Sequence, residues 1–411
     1  MQPARQVIRA ARVFDGERVL PDGAAVFVRD GRIVGVEAAG APVPEGWRSR
    51  DFPGATLLPG LFDMHCHLGS DGHDGGLDRM ATDGEARLAE VIEDSLRRQL
   101  AAGVTTVRDL GDRNWSVVRR RDLAGAPGAA SRPSPTIVAA GPPITTPGGH
   151  CAFMGGAVEG PEQLRAAVRE RVERGVDVVK VMGSGGAFTP GTDVTRCQFT
   201  VEELRIVVDT AHAAGLPVTV HAHALAAVEQ ALDAGADGVE HCSCLTADGV
   251  RITDELLERL ARQGTAVCPT LGMTAEGVPP PPVRALVERF GIGLGQRQRT
   301  AARMRRAGVR LVSGADSGIN AVKPHGILRA AVADLVAGGV PADDALATAT
   351  SLAADTCGLT DRKGRLRRGL DADLLVVRGD PLRDMAALAE PVAVSVSGVW
   401  VGAAGEPRDR P

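Results

Sequence analysis

The central part of the chain alternates between apolar runs and helix-like stretches, and this alternation constrains the possible folds most. Stretches rich in alanine, leucine, glutamate and arginine, such as 84–102 and 201–214, have helical character. They separate apolar runs of strand type at 56–62, 104–110, 136–140, 176–181, 218–221, 238–241, 266–269 and 309–313. Eight such strands predict an α/β fold with a (β/α)8 TIM-like barrel. An open doubly wound sheet is the alternative. It is disfavoured because no Gly-x-Gly-x-x-Gly turn, which such a sheet usually has, follows the first strand of the unit.

Both ends of the chain carry short strand patterns without a helical period. Near the N-terminus, Asp30-Gly31 separates two apolar runs, which is a strong hairpin signal. The C-terminal part has similar runs at 374–377 and 392–401. We therefore predict a small β-sandwich domain built from both chain ends. Its parts are residues 1–56 and 361–411, and the barrel occupies residues 57–360 between them.

Composition narrows the classes of function. A net charge of −4 and a pI near 6.2 argue against nucleic-acid and membrane-surface binding, and the absence of tyrosine leaves no evident stacking platform for bases. The N-terminus has no signal-peptide pattern, and no apolar run approaches a membrane span. Seven scattered cysteines favour reduced thiols over a disulfide framework. These features predict a cytoplasmic protein with a small-molecule substrate.

Lys180 is the most unusual charged residue of the apolar runs. It lies inside the apolar run 176–181, just before the glycine-rich segment 183–186. Its ammonium would therefore be buried in a strand. A buried ammonium without a partner is unfavourable or loses its proton. The backbone N–H groups of the glycine-rich segment, including that of Gly185, could bind a substrate carboxylate. This segment lacks the lysine and hydroxyl residue of a phosphate loop, which argues against nucleotide binding.

Histidines and a carboxylate follow several of the other predicted strands. His65 and His67 are two residues apart and therefore share one face of a strand, whereas His221, His241 and Asp316 each follow a different apolar run. Each one alone could be an ordinary strand-end or capping residue. Barrel enzymes, however, gather their functional residues at the C-terminal ends of the strands. Together with a lysine that has reacted with carbon dioxide, these residues predict a site for two metal ions.

This order of residues resembles the amidohydrolase superfamily over nearly the whole chain. The segment 59–67, Pro-Gly-Leu-Phe-Asp-Met-His-Cys-His, is similar to the opening strand of the family barrel, and 364–380 is similar to its return into the β domain. The motifs at 180–186, 198–200 and 148–150 resemble one binuclear branch. That branch holds the metal-dependent Xaa-Pro and Xaa-Arg dipeptidases and the imidazolonepropionase-like proteins.

The resemblance implies a ligand set for two divalent metal ions. Zinc is the preferred ion for imidazole and oxygen ligands, with manganese or cobalt as alternatives. The implied ligands are, for the first ion, His65, His67 and Asp316 and, for the second, His221 and His241. Lys180, carboxylated to N6-carboxylysine, would bridge the ions together with a hydroxide. Asp316 would also accept the proton of the attacking water and deliver it to the leaving amine.

Further histidines are candidates for substrate binding. His150, in a Pro-Gly-Gly-His turn, resembles the family histidine that helps to polarise the carbonyl, although a surface loop is the alternative. His223 would share the face of His221 if the strand continues, but not if a helix begins there. Dipeptidases of this branch often have tyrosine at this position, and this chain has none. His325 follows the predicted base closely enough to shape the pocket, with a helix N-cap as the alternative.

The predicted activity is hydrolysis of an amide bond in a small molecule, such as an N-acyl amino acid, a dipeptide or a related carboxamide. Hydrolysis of a cyclic amide, a carbamate or urea, or a lactone or other ester is the alternative, because the same activated hydroxide serves all of them. A non-catalytic scaffold is less compatible with a full ligand set. The resemblance also implies a homo-oligomer.

Overall fold

The computed structural model describes residues 5–125 and 132–401; the first four and last ten residues of the predicted β domain lie outside this range. The strands run along the chain as follows: β1 (Arg5–Phe14), β2 (Val19–Leu20), β3 (Ala25–Arg29), β4 (Arg32–Glu37), β5 (Arg48–Pro59), β6 (Leu61–Cys66), β7 (Val104–Asp109), β8 (Thr136–Ala139), β9 (Val179–Met182), β10 (Val218–Ala224), β11 (Gly238–Thr246), β12 (Gly249–Val250), β13 (Ala266–Cys268), β14 (Arg310–Leu311), β15 (Leu374–Arg378), β16 (Pro391–Val396) and β17 (Val399–Val401).

The α-helices lie mostly between the central strands. They are α1 (Gly76–Thr82), α2 (Glu85–Ala101), α3 (Ser116–Gly125), α4 (Gly160–Glu173), α5 (Val201–Ala213), α6 (Leu225–Ala234), α7 (Asp254–Gln263), α8 (Pro281–Phe290), α9 (Leu294–Arg306), α10 (Leu328–Ala337), α11 (Ala342–Thr348) and α12 (Ser351–Thr356). Short 3-10 helices occupy Ala152–Met154 and Met385–Ala389.

Helix α5 illustrates how local sequence determines these elements. Thr200 caps it: its hydroxyl accepts the backbone N–H of Glu203, whose carboxylate accepts the N–H of Thr200 in return. The buried positions follow the helical period and are Leu204, Val207, Val208 and Ala211. One apolar stripe therefore faces the strands, and the remaining face is polar.

One eight-stranded sheet is built from both ends of the chain, with the order β17-β16-β15-β5-β1-β3-β4 and β2 paired to β1. The predicted hairpin is confirmed: Asp30 and Gly31 join β3 to β4 and have φ angles of 53° and 77°, as a two-residue hairpin turn requires. Alternate residues pack on opposite faces, Val7 and Phe27 on one and Ile8 on the other. The predicted sandwich is thus a single hydrogen-bonded sheet with apolar clusters on both faces.

The central region is a mixed α/β fold with parallel sheets. Strands β6, β7 and β8 form one sheet, and β9, β10, β11, β13 and β14 form the other, to which β12 adds an antiparallel edge. At one seam, Met64 N–H donates to the Ser313 carbonyl (3.0 Å); at the other, Asp177 N–H donates to the Ala139 carbonyl (2.9 Å). These contacts and isolated bridges do not form a continuous ladder. The described strands therefore do not make the closed barrel that the sequence predicts.

The predicted strand at 56–62 combines two different strands. Residues up to Pro59 belong to β5 of the eight-stranded sheet, and β6 begins only at Leu61. Between them, Gly60 N–H donates to the carbonyl of Asp373, which precedes β15. The apolar run is continuous because both strands are buried, so hydrophobicity alone could not locate the break.

The largest apolar cluster packs the helices against the parallel strands. Leu96 of α2, Val207 of α5 and Leu257 of α7 contact this cluster from outside, and Val107 and Val220 contribute from the strands. This core holds the strand ends that carry the functional residues. Among the helices in the described part of the chain, none combines the length and apolar character needed to cross a bilayer.

Candidate metal centre

The C-terminal ends of the central strands bring the predicted ligands into one cavity. Lys180, His221 and His241 lie within β9, β10 and β11, whereas the others lie at the end of β6 or after β6 and β14. All of them line the cavity: His65, His67, Lys180, His221, His241 and Asp316. In parallel strands these ends point to the same side, so residues far apart in sequence meet there. The cavity volume is about 190 Å³.

Two histidines and one carboxylate form the first half of the cluster. The Nε2 atoms of His65 and His67 lie 3.5 Å and 3.4 Å from Oδ1 of Asp316. The two imidazole rings are 5.4 Å apart between centroids. His65, His241 and Asp316 also present ligand atoms within 4.8 Å of one another. This spacing places three donors around a volume that one cation can fill.

Three histidines form the second half of the cluster. β10 continues to Ala224, so His221 and His223 lie on the same strand, and the alternative of a helix starting there is wrong. The rings of His221 and His241 are 4.7 Å apart, and those of His223 and His241 are stacked at 4.5 Å. Ligand atoms of all three lie within 4.8 Å of one another. His223 therefore reaches the same volume as the two predicted ligands.

Hydrogen bonds behind the histidines fit a metal site. Nδ1 of His65 lies 2.7 Å from a Glu240 carboxylate oxygen, and Nδ1 of His67 lies 3.1 Å from the Gly111 carbonyl. Because both partners only accept, each Nδ1 carries a proton, and Nε2 is the ring atom of each histidine that can bind a metal. Burial, followed by the charge of Lys180, also lowers the pKa of His65 to about 4, which favours the neutral imidazole that a metal requires.

Lys180 is buried and has no hydrogen-bond partner among the described residues, although its side chain lines the cavity. Burial lowers the pKa of its amine, and Arg108 adds to this effect, while Glu240 and Asp316 oppose it. An isolated amine in this position is unfavourable as an ammonium ion. The neutral amine is the form that can react with carbon dioxide, so the surroundings fit a carboxylated lysine that binds cations.

Asp316 follows β14 and is half-buried, with its carboxylate in the cavity. Burial raises the pKa of this carboxyl, but His65 and His67 lower it more, so the net pKa lies below its usual range. Asp316 is therefore a carboxylate at neutral pH, able to bind a cation or accept a proton.

Glu240 is a buried residue of this site that the sequence reasoning missed. Its Oε1 accepts hydrogen bonds from Arg108 (2.7 Å) and Thr219 (2.6 Å), while Oε2 holds His65. Burial opposes the charge, yet the Arg108 guanidinium and His65 keep the pKa of Glu240 below its usual range. Glu240 also lies near Cys268, but its oxygens are already engaged. The sequence does carry a signal for this pair: Glu240 and Arg108 are charged residues inside the apolar runs 238–241 and 104–110.

The backbone around the cluster adopts an unusual conformation. His241, Cys242, Cys244, Thr270 and Asp316 all have positive φ angles, between 46° and 67°. Residues other than glycine rarely occupy this region, and such outliers concentrate at functional sites. Two of these residues are predicted ligands, so the surrounding structure holds their side chains in directions that a regular strand would not give.

His150 lies beside the cluster, as its predicted role requires. Its ring is 4.6 Å from that of His221, and its Nδ1 lies 2.8 Å from the Thr189 hydroxyl. Burial, followed by the charges of His223 and Lys180, lowers the pKa of His150 to about 3, so the imidazole is neutral. A Cβ on Gly186 would overlap this ring. The glycine at 186 therefore allows the ring to lie where it does.

Two predicted substrate-binding residues lie outside the cavity lining. The N–H of Gly185 donates to the Arg196 carbonyl (3.2 Å), and its carbonyl lies 3.1 Å from Nε2 of His221. This N–H group is therefore not free to bind a carboxylate, because the loop itself uses it. His325 is buried against Gly318, and its Nε2 donates to the Ser70 carbonyl (2.8 Å). It supports a neighbouring loop rather than shaping the cavity wall.

The walls of the cavity above the cluster are largely apolar. They include side chains from several loops and from α8, among them Leu77, Met154, Met182, Phe188, Val283, Leu286, Val287 and Ile319. The charged side chains in the lining are Lys180, Arg297, Lys323 and Asp316. A ligand in this cavity would therefore meet a polar floor, apolar walls and the cationic side chains of Arg297 and Lys323.

Comparisons with known proteins agree with this geometry. The sequence profile of the amidohydrolase family matches residues 56–401. An uncharacterized protein of Mycobacterium tuberculosis is 30% identical, over 96% of this chain and 97% of that protein. Ochratoxinase of Aspergillus niger is 26% identical, over 96% of this chain and 85% of its own. A crystal structure of a Xaa-Pro dipeptidase with bound methionine superposes with a TM-score of 0.83 at 26% identity, over 97% of this chain and 100% of that one.

The family profile covers most of the chain, and the mycobacterial relative matches nearly its whole length. The resemblance inferred from the motifs is therefore confirmed. The chain belongs to the amidohydrolase family and is a hydrolase that acts on carbon–nitrogen bonds.

Proposed function

We propose that the protein is a binuclear metal-dependent hydrolase that cleaves an amide bond of a small molecule, such as an N-acyl amino acid, a dipeptide or a related carboxamide. One observation carries this proposal: six residues on or just after five strands converge on one cavity, and Lys180 among them has no partner in the described part of the chain. The Xaa-Pro dipeptidase, which is similar to this chain, is named for the cleavage of a dipeptide.

The residues that would hold the metal ions are those that the sequence predicts. His65, His67 and Asp316 would hold one ion. His221 and His241 would hold the other, with N6-carboxylated Lys180 shared between the two. His223 is a further possible ligand because it reaches the same volume as His221 and His241. Zinc suits this set of nitrogen and oxygen donors best. Once bound, two such cations would lower the pKa of a shared water and polarise the scissile carbonyl.

The protein's own groups would carry the proton and orient the substrate. The Asp316 carboxylate would take a proton from the attacking water and transfer it to the leaving nitrogen, so that water and amide become a carboxylic acid and an amine. His150, neutral and beside His221, would donate a hydrogen bond to the oxygen of the scissile carbonyl. The apolar walls would exclude bulk water from the reacting groups.

The two parallel sheets support the corresponding proposal for the fold. Eight parallel strands, from β6 to β14 without β12, follow one another in order, and backbone hydrogen bonds join the sheets at both seams. We propose that they are a distorted (β/α)8 barrel at residues 57–360, with a β domain formed by 1–56 and 361–411. From its composition, we propose that the protein is cytoplasmic and has no nucleic-acid or membrane partner. From the family resemblance, we propose that it is a homo-oligomer.

A substrate screen with metal analysis tests the proposed function. The purified chain is stripped of metal, reloaded with zinc, manganese or cobalt, and assayed on N-acyl amino acids, dipeptides, lactams, carbamates and esters. We expect about two metal ions per chain and hydrolysis of linear amides. Turnover of lactams, carbamates or esters in preference to linear amides would favour the alternative substrates. Bound metal without hydrolysis of any class would contradict the proposal and favour a scaffold.

A further inference from the structure

Arg297 is a cation in the cavity wall that the proposed chemistry does not use. It belongs to α9 and is half-buried, and it lines the same cavity as the histidine cluster. Among the described residues of the lining, Asp316 is the only carboxylate, and the histidines already engage it. No ion pair within residues 5–125 and 132–401 includes Arg297.

The guanidinium is held in place without being neutralised. Its Nη2 donates to the carbonyl oxygens of Pro269 (2.8 Å) and Thr270 (2.9 Å), and more weakly to the Thr270 hydroxyl (3.4 Å). Its Nε and Nη1 donate to no residue in the described part of the chain. Arg297 therefore combines a fixed orientation with unused N–H donors, to which an anion could bind.

A second cation beside Arg297 adds charge but no free donor. Nζ of Lys323 donates to the carbonyl oxygens of Thr270 (3.0 Å), Gly272 (2.9 Å) and Ala315 (2.7 Å). An ammonium has three N–H groups, so these bonds use all of them. Lys323 thus makes this side of the cavity more positive, and Arg297 remains the group that can bind a ligand.

The position of Arg297 is close to the proposed reaction centre. The Thr270 hydroxyl that contacts Arg297 also lies 2.8 Å from Nδ1 of His241. In an N-acyl amino acid, the α-carboxylate carbon is three bonds from the scissile carbonyl carbon, or about 4 Å along the chain. An anion bound at Arg297 would therefore keep the amide near the histidine cluster.

The apolar part of the cavity lining indicates what the rest of the substrate contains. Helix α8 presents Val283, Leu286 and Val287 to the cavity, at the i, i+3 and i+4 spacing of one helix face. These side chains offer apolar contact and no hydrogen bonds. A substrate that fits both parts of the lining carries a free carboxylate at one end and an apolar group elsewhere.

We propose that Arg297 binds the free carboxylate of the substrate, and that the substrates are N-acyl amino acids or dipeptides with an apolar group. This inference rests on the proposed function and narrows it. The carboxylate would accept a charge-assisted hydrogen bond from a guanidinium N–H that the loop does not use, and it would supply the missing counter-ion. Neutral carboxamides of the same shape would leave Arg297 unpaired and bind more weakly.

The test compares each acid with its decarboxylated counterpart, for example N-acetyl-L-phenylalanine with N-(2-phenylethyl)acetamide. The two compounds contain the same acetamide group and differ only in the carboxylate. We expect the metal-loaded protein to prefer the acids by about 100-fold in kcat/KM. Arg297→Gln should bring this ratio close to one, mainly through a higher KM for the acids. Arg299→Gln, an exposed arginine of the same helix outside the cavity lining, is the control and should keep the preference.

A binding measurement separates this inference from the proposed function. Calorimetric titration of L-phenylalanine, the expected product, should show binding to the wild type and to Arg299→Gln, and at least tenfold weaker binding to Arg297→Gln. Equal binding to all three, or equal turnover of acids and neutral amides, would overturn the role of Arg297. If Arg297→Gln loses binding but the wild type hydrolyses no amide, the carboxylate site is supported and the proposed amide hydrolysis is contradicted.

Discussion

Nδ1 of His65 lies 2.7 Å from Oε2 of Glu240, and this contact joins a predicted metal ligand to a fully buried carboxylate. Glu240 is held in turn by Arg108, whose Nε also donates to the carbonyl of Met64, the residue before His65. The imidazole is therefore fixed both through its ring and through its neighbouring backbone. A carboxylate in this position sets the tautomer of the histidine and increases the basicity of Nε2, the nitrogen that faces the proposed metal.

Substitution of Glu240 should weaken metal binding. In Glu240→Gln the side-chain shape is nearly kept, but the charge that orients and polarises His65 is lost. We expect zinc affinity to fall by about 10- to 100-fold, as for other partners of metal-bound histidines. Competition with a chromophoric chelator measures this affinity directly. Glu258→Gln, on the exposed face of α7, is the control. Unchanged zinc affinity in Glu240→Gln would show that the contact is structural only.

Removal of the buried lysine should prevent assembly of a two-metal site. Lys180→Ala takes away the shared ligand, so we expect elemental analysis to find about one metal ion or fewer per chain and activity to fall to background. Short carboxylic acids, such as acetate or propionate, should restore part of the activity because they can occupy the position of the carbamate. Two metal ions per chain in Lys180→Ala, with full activity, would exclude the bridging role.

Substitution of Asp316 should separate metal binding from proton transfer. Asp316→Asn keeps an oxygen near His65 and His67 but cannot accept the proton of the attacking water. We expect kcat to fall by about 10²- to 10⁴-fold while most of the metal remains bound. Steady-state kinetics and elemental analysis of the same preparation give both quantities. If metal and activity are lost in parallel, Asp316 acts as a ligand and not as the proton carrier.

The sequence predicted that the candidate ligands lie together because their positions follow a general rule. Charged and imidazole side chains are rare in apolar strand runs, and parallel strands bring their ends together, so His65 and His221 could be assigned to one site without a structure. The partners behind them could not be assigned. Glu240 meets His65 and Arg108 across three different strands, and only the tertiary arrangement selects these pairs.

Loop conformation explains the residues for which the sequence was misleading. The N–H of Gly185 is used by Arg196 of the same loop, and the ring of His325 turns toward Ser70, away from the cavity. A glycine-rich pattern or a nearby histidine does not indicate which groups a loop satisfies internally. Arg297 was missed for the opposite reason: an arginine in a polar helix has no distinctive sequence pattern until the helix is placed against the cavity.

The space around His150 leads to a prediction for a glycine that carries no functional group. A methyl group at position 186 would overlap the His150 ring and displace it from His221. We expect Gly186→Ala to lower kcat by at least about 10-fold, because small displacements of orienting groups are costly, with little change in metal content. Gly40→Ala is the control, since its Cβ would meet no atom within 4 Å. Normal kcat in Gly186→Ala would remove His150 from the reaction.

An ion-pair cluster between Asp355, Arg365 and Glu17 should make stability depend on pH. Arg365 donates to both carboxylate oxygens of Asp355 (2.8 and 2.9 Å) and to Glu17 (2.6 Å). The hydrogen bonds from Arg365 hold the pKa of Asp355 below its ordinary value of 3.8. A carboxyl with a depressed pKa contributes its full stabilisation above the unfolded pKa and loses it as the pH falls through the folded one.

Asp355→Asn should therefore lower Tm by about 2 °C at pH 7, as expected for a partly exposed pair in a large chain, and the difference from the wild type should shrink below about pH 4. Differential scanning calorimetry from pH 3 to 7 measures both effects. Asp361→Asn, at a nearby exposed position, should follow the wild type across this range. A constant Tm difference at every pH would mean that Asp355 stabilises the protein by packing, and not through the charge that Arg365 binds.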